Sequence, residues 1–447
     1  MIAKDFQRQI RELSAGRIAR GSISTFVIYL FNSGLTFLTA MILAKLLGAE
    51  QFGHYSFAIA LSGMLAIPAG MGFKNYLVKE IAILNAEKCW NRFKGLCIFS
   101  LFAVLLVGVI VSVLIYYGVQ YPFSSLPTNT ISAVEIGIWI VVPSVLIGTS
   151  EGILRGLHRS TLAQFAEFLV RPIVFLLFVL CLWLFFDLAE ITAIHAVALN
   201  LATAVISAFV ALTIVYNTVP KRALNSLASY EYKHWMKEAG PFLSLTVVSV
   251  LLAQMDVIML GFLSTAEQTG QYRISSRVAS LTILPLIAIS FPLLPRIAHL
   301  FTTNNRIEVQ TLLSKASRFS VLLGTPIAIV LIFSGEHVLT LFGPDFVTAS
   351  LSLAILSLGF LSRLVIGPAD SVLNMTGYAY ASLKIGMIAV MLNFILNLLL
   401  IPKYGSVGAA FAFSIGISVS TVIAMKMLRR KTGLASSIFS LSRYGHG

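Results

Sequence analysis

Apolar stretches of roughly twenty residues follow one another along almost the whole chain, and about twenty such residues span the hydrocarbon core of a bilayer. Only 11% of the 447 residues are charged and 57% are hydrophobic, whereas a soluble domain carries about 25% charged residues. Lipid is therefore the main solvent of this chain. In lipid, runs of this length satisfy their own backbone polar groups only as helices. We read twelve spans, near 22–47, 53–79, 93–118, 132–156, 161–186 and 190–216, then 239–263, 271–298, 316–337, 347–374, 378–401 and 406–428. The expected fold is an all-α integral membrane protein with twelve transmembrane helices and no separate soluble domain.

The spans divide into two sets. Ala49-Glu50-Gln51-Phe52-Gly53-His54-Tyr55 returns as Ala266-Glu267-Gln268-Thr269-Gly270-Gln271-Tyr272, so both stretches read A-E-Q-x-G-x-Y. Extending the pairing without a gap sets Pro68 opposite Pro285, inside each following apolar run. A match in equivalent context marks a duplicated unit. Two six-helix lobes related by an internal repeat are expected: an N-lobe over 22–216 and a C-lobe over 239–430. A polar, basic cytoplasmic linker over 217–238 joins them, and 431–447 forms a cytoplasmic tail rich in Ser and Gly. Duplicated halves of transporters usually hold their substrate between them.

The net charge of +14 would suggest nucleic acid in a soluble protein. Here no basic stripe with interleaved aromatics occurs, so no nucleic acid is expected. The basic residues sit between spans and point to anionic membrane lipids and to topology. One side holds Lys79, Lys88, Arg92, Arg155, Arg159, Lys221, Arg222, Arg296, Arg306 and Arg429. The other holds mainly acids: Glu50, Asp187, Glu190, Glu267, Glu336 and Asp345, with Lys45 and Lys403 as exceptions. Lys and Arg concentrate in cytoplasmic loops, which makes both termini cytoplasmic. Residues 1–21 are expected to form an amphipathic segment on that surface, with Ile2, Phe6, Ile10 and Leu13 on one face, rather than a cleavable signal. Cys89, Cys97 and Cys181 match no metal spacing, and the histidines form no HExxH. No phosphate-binding GxxxxGK[ST] loop is present. No metal, cofactor or nucleotide engine is therefore expected within the chain. The longest outer loop, near 119–131, carries no charge, which speaks against an enzyme working on polysaccharide outside the membrane.

Ionisable residues inside spans are costly and face a partner or a wet cavity. Arg273 and Arg277 lie four apart on one face of the eighth span. The repeat pairing puts Ser56 and Ala60 at the matching first-half positions, so the second half has gained two positive charges. A guanidinium stays charged and suits bidentate phosphate contacts. Asp256, in the seventh span opposite Thr39, is either an ion-coupling site or the structural partner of Arg277. Arg363 and Asp370 lie seven apart in the tenth span, Arg363 as a cavity residue and Asp370 nearer the interface. Glu167 with Arg171, and Glu151 with Arg155, have the spacing of intrahelical ion pairs. Pro172 follows Arg171 and is expected to kink the fifth span beside the charge. Lys74 either snorkels or guards the cytoplasmic mouth, and Lys79 is interfacial. Asn393 and Asn397 share a face of the eleventh span, suited to interhelical hydrogen bonds.

Two stretches carry a resemblance. Leu43-Ala44-Lys45-Leu46-Leu47-Gly48, continuing into the first motif copy, resembles the corner between the first two helices of the polysaccharide-export (Wzx/RfbX-type) flippases. Asn393 and Asn397, followed by Ile401-Pro402-Lys403-Tyr404-Gly405 and Gly408-Ala409-Ala410, resemble the same family's N-x-x-x-N…IP-x-YG-x-x-GAA signature. That family belongs to the multidrug/oligosaccharidyl-lipid/polysaccharide (MOP) superfamily. The resemblance implies a monomeric transporter, not an enzyme, in the bacterial inner (cytoplasmic) membrane, with two lobes around a central cavity. Its substrate would be a polyprenyl-diphosphate-linked oligosaccharide, the repeat unit of an O-antigen, capsule or exopolysaccharide. Alternating access would carry it from the cytoplasmic to the outer leaflet, with a polysaccharide polymerase and chain-length proteins as partners. The resemblance makes Arg277, Arg273, Arg363, Arg171 and Lys74 the candidate cationic cavity. Unlike the peptidoglycan-precursor flippases, the first span has no arginine between Ile23 and Ala44, which argues against lipid II. Two other readings are a MATE-type ion-coupled multidrug exporter and a membrane glycosyltransferase or polysaccharide polymerase. The basic intramembrane balance disfavours the first, and the lack of a catalytic constellation disfavours the second.

Overall fold

The computed structural model describes residues 2–118, 126–185 and 191–436, without the side chains before Thr25 or that of Leu245. The expectations for Asp187, Glu190, the face of Ile2, Phe6, Ile10 and Leu13, most of the 119–131 loop and the tail beyond 436 fall outside that description.

The described residues are helical throughout, with no strand among them. The first half comprises α1 (Ile2–Gly70), α2 (Phe73–Ala86), α3 (Trp90–Gly118), α4 (Thr128–Gly137), α5 (Val141–Gly156), α6 (Ser160–Phe165), α7 (Arg171–Phe185) and α8 (Ala193–Thr218). The linker contributes α9 (Lys221–Leu224) and the start of α10 (Tyr232–Leu263). Then come α11 (Ala266–Ala279), α12 (Leu284–Thr302), α13 (Arg306–Phe333), α14 (Gly335–Thr340), α15 (Ser350–Ile366), α16 (Ala369–Met375) and α17 (Ala379–Thr432). Ten stretches among the described residues are long and apolar enough to cross a membrane.

Two of the ten are broken part-way by a glycine. Gly48 in α1 has φ 69° and ψ 174°, and Gly405 in α17 has φ 54° and ψ −128°. Left-handed φ values suit glycine, which has no Cβ to clash. The chain turns at these two points without an intervening loop.

Prolines explain the irregular turns elsewhere. A proline ring clashes with the carbonyl four residues back and supplies no N–H. Pro172 is preceded by a π-helical segment, Ala166–Val170, which contains that fourth residue, Phe168. Pro143 and Pro285 follow 3-10 segments, Ile138–Ile140 and Ser280–Ile283, which contain Trp139 and Leu281. The bend expected at Pro172 is thus a widened helical turn.

The two A-E-Q-x-G-x-Y copies pack against each other. A Cβ on Gly53 would lie 1.7 Å from the Ala266 carbonyl oxygen, and one on Gly270 2.2 Å from that of Ala49. Each glycine therefore admits the other copy's alanine backbone. Around them, Gln51 accepts from the Ala193 backbone N–H (3.0 Å) and Gln271 donates to the Asp345 carbonyl (3.0 Å). His54 Nδ1 meets Thr130 Oγ1 at 2.6 Å. At this corner end one apolar core runs through both halves, from Leu43, Phe52 and Phe57 to Tyr272, Phe342 and Phe346. At the opposite, basic end the core is split. One cluster holds Phe73, Tyr76, Phe93 and Val145 with Trp235 and Ala239 from the start of α10. The other holds Ile297, Leu313, Val372, Ile385 and Leu428.

Candidate functional site

The site is built on α11, the most polar of the long second-half helices. Thr265 caps it by accepting from the Gln268 N–H (3.2 Å), and Glu267 lies in its first turn, where a carboxylate complements the helix dipole. Its apolar residues Tyr272, Ile274 and Val278 are buried. The opposite stripe presents Arg273 and Arg277 to a cavity of about 290 Å³. Asn32, Thr36 and Thr39 of α1 line the same space, with Tyr55 and Ser56 further along α1. Glu167, Phe168, Arg171 and Phe175 come from the π segment and α7, and Asn200 from α8. A second cavity of about 340 Å³ shares Asn32, Thr36, Arg273 and Arg277 and extends to Tyr29, Ser276 and Ser280. Three of the five arginine and lysine candidates, Arg171, Arg273 and Arg277, thus converge on one space.

Their partners differ. Arg171 donates to Glu167 Oε1 (3.2 Å) and to Asn200 Oδ1 (3.4 Å), and Asn200 donates to Tyr55 Oη (3.1 Å). The ion pair expected from the i,i+4 spacing is present. Among the described residues, Arg273 meets a neutral acceptor, Gln254 Oε1 at 3.4 Å, and no carboxylate. Arg277 has no hydrogen bond or ion pair among the described residues. Two cations one turn apart repel each other, and a charge withdrawn from water without a partner costs several kcal/mol. This wall of the cavity is consequently primed for an anion.

Asp256 lies outside this cavity and forms no ion pair with Arg277. It is buried and accepts from Tyr272 Oη (2.8 Å), Asn393 Nδ2 (3.0 Å) and Asn397 Nδ2 (2.7 Å). The two asparagines make the interhelical hydrogen bonds that their spacing suggests, with this carboxylate as the receiver.

Arg363 and Lys74 stand apart from the arginine cluster. Arg363 pairs with Asp370 at 2.8 Å. Both line a separate 220 Å³ cavity with Ser249, Asn374, Ser382 and Thr421. The pair bridges the break at Gly367, where α15 ends. Lys74 pairs at 2.6 Å with Glu151, which is 1% exposed and also holds Arg155. Sequence reasoning missed Tyr55, Asn200, Asn32, Thr36 and Gln254. They are neutral residues inside apolar spans, and only their three-dimensional convergence marks them.

The family described as polysaccharide biosynthesis protein matches residues 18–301. The chain belongs to that family. A second family, MatE, matches residues 241–399. Among curated relatives, a probable low-salt glycan biosynthesis flippase, Agl15 of Haloferax volcanii, is 26% identical over 418 residues, covering 91% of this chain and 82% of the relative. Two solved structures share the fold. The lipid II flippase MurJ, in an inward closed conformation, aligns with a TM-score of 0.74 at 16% identity over 90% of this chain and 87% of its own. An inward-facing multidrug resistance MATE transporter of the MOP superfamily aligns with 0.73 at 13% identity over 92% of this chain and 97% of its own. This polysaccharide biosynthesis protein is a multi-pass membrane protein that shares its fold with those two transporters.

Proposed function

We propose that the chain is a flippase for a polyprenyl-diphosphate-linked oligosaccharide, carrying it from the cytoplasmic to the outer leaflet. The observation that carries this reading is the pair Arg273 and Arg277, which face one cavity with no carboxylate partner among the described residues. A diphosphate supplies the missing negative charge and accepts from planar guanidinium forks. Unpaired polar groups are expensive in hydrocarbon, so the headgroup needs such a shielded path while its polyprenyl tail stays in lipid. The probable flippase relative in Haloferax volcanii supports the same reading. A cavity for cationic drugs would favour acids; here Glu167, its only carboxylate, is already paired with Arg171.

The broken helices support the topology. Counting each arm of the helices interrupted at Gly48 and Gly405 as one crossing turns ten stretches into twelve (10 + 2). Six then precede the linker and six follow it, as two lobes with the cavity between them. With the basic end cytoplasmic, the continuous core seals the outer side, and rocking of the lobes would expose the cavity to each face in turn. Lys74 would then lie toward the cytoplasmic mouth, as an early contact for the moving anion, and Arg363 in a neighbouring chamber. Asp256 is the ion-coupling candidate: its buried carboxylate has three neutral hydrogen-bond donors and no cationic side chain paired with it among the described residues, which leaves its charge for a transported ion to answer.

The test is a strain lacking this gene, scored together for surface glycan and lipid-linked precursor. Loss of surface glycan with precursor held on the cytoplasmic leaflet is expected. Wild-type protein restores export, and Arg277→Ala at normal protein level lowers it at least about tenfold, the cost of one charge-assisted contact. Intact glycan with greater drug retention in the deletion strain would replace this reading with the exporter.

A further inference from the structure

Resting on the flippase reading, we infer that the wall formed by Tyr55, Glu167, Phe168, Arg171, Phe175 and Asn200 is a sugar subsite that reads the glycan next to the diphosphate. The cavity has two unlike walls. On α11 the guanidinium groups of Arg273 and Arg277 have no ion-pair partner among the described residues. On the facing wall Arg171 is answered by Glu167 at 3.2 Å, so that wall is polar and close to neutral.

The polar groups there are oriented by one another. Arg171 holds Glu167 with one nitrogen and Asn200 with another, and Asn200 holds Tyr55. The chain of contacts ties the π segment, α7, α8 and α1 together. Among the described residues it also leaves specific capacity unused. Tyr55 Oη accepts from Asn200, so its own O–H remains free to donate. Glu167 Oε2, the oxygen not bonded to Arg171, remains free to accept. These are the functions that sugar hydroxyls require.

The aromatic component lies beside them. The Tyr55 and Phe175 rings are nearly parallel, 11° apart in plane with centroids 6.4 Å apart. Phe168 lines the same cavity. A pyranose presents apolar C–H faces and a rim of hydroxyls, and this wall offers flat rings next to fixed polar atoms. Pockets that recognise small molecules have that composition, apolar and aromatic surface with a few placed polar groups. The widened turn at Ala166–Val170 supplies Glu167 and Phe168, and π-bulges are frequent at functional sites. A volume of about 290 Å³ is at the small end for ligand pockets. It suits the sugar adjoining the diphosphate rather than a whole repeat unit.

The test compares two lipids on the purified full-length protein: polyprenyl diphosphate without sugar, and the lipid-linked glycan extracted from cells lacking this protein. Wild type should bind the glycan-bearing lipid about tenfold more tightly. Asn200→Ala and Phe175→Leu should each reduce that preference to about twofold or less, the loss of one oriented hydrogen bond or one ring contact. Phe175→Leu keeps the polar network, so it covers the case in which Asn200→Ala fails to fold. Arg277→Ala should weaken both lipids together. A preference that survives in both wall variants, or is absent from wild type, overturns the subsite. Wild type that binds neither lipid overturns the flippase reading itself.

Discussion

At the scale of single residues, Asp256 separates structural from transport roles most cleanly. Its oxygens receive three neutral donors, Tyr272, Asn393 and Asn397, and Asn397 Oδ1 beside it is buried without a partner. Asparagine at this position keeps the shape and most of the hydrogen bonds while removing the charge. Asp256→Asn should therefore cost only about 1 kcal/mol in stability, measured by thermal unfolding in detergent. Asp256→Ala takes the acceptor from the Tyr272 hydroxyl and the Asn393 amide, while Asn397 Nδ2 keeps its bond to Asn393 Oδ1 (2.9 Å), and should cost about 2–5 kcal/mol. If Asp256 couples an ion, transport by the Asn variant becomes insensitive to a pH or sodium gradient; unchanged sensitivity rejects that role. The sequence alone marks this aspartate as costly, because a charge in a span is visible in one dimension. It names Arg277 as the structural partner, where the structure has Asn393, Asn397 and Tyr272. Asn393 and Asn397 are one turn apart, but their distance in sequence from Asp256 hides the contact.

At the scale of elements, the repeated motif is a packing device. Gly53 and Gly270 each receive the backbone of the opposite copy, so an added methyl group has nowhere to go. Gly53→Ala and Gly270→Ala should each lower stability by about 1–3 kcal/mol, the cost of overpacking. Gly34, in the first arm of α1, has open space where its Cβ would be. There Gly34→Ala should stabilise by up to about 1 kcal/mol through helix propensity. Unfolding midpoints of the three variants check the contrast, and equal shifts at all three would discount the motif contact. The motif and its glycines are legible in the sequence, as are the helical runs between them. Their mutual contact is not, because an internal match says that two segments are alike without saying that they touch. The prolines are legible as interruptions, but whether a turn widens or tightens depends on packing. Pro172 produces a π segment and Pro285 a 3-10 one.

At the scale of the whole molecule, the apolar cores predict which end moves. Near the motif, one core joins the halves through Phe52 against Phe346 and Phe57 against Phe262, with ring centroids 6.0 and 5.3 Å apart. At the basic end the cores are separate, and the halves meet there through Phe26 and Tyr29 against Phe291 and Tyr76 against Phe242, contacts that must rearrange when that end changes shape. Alternating access then requires the joined end to part in every cycle, exchanging buried apolar surface for new contacts elsewhere. Holding that end closed should stop transport without unfolding the protein. Cys89, Cys97 and Cys181 form no disulfide, so Ser replacements at all three give a background free of other thiols. In that background Phe52→Cys with Phe346→Cys, at positions buried while the end is closed, should be bridged by a short bifunctional maleimide as the end parts during turnover and should reduce flipping at least about tenfold, a barrier increase of about 1.4 kcal/mol or more. Each single-cysteine variant treated with the same reagent controls for lost ring packing. A bridged protein that still transports at the rate of those controls would mean that the joined end stays closed throughout the cycle, and the cavity would have to release its cargo sideways into the membrane.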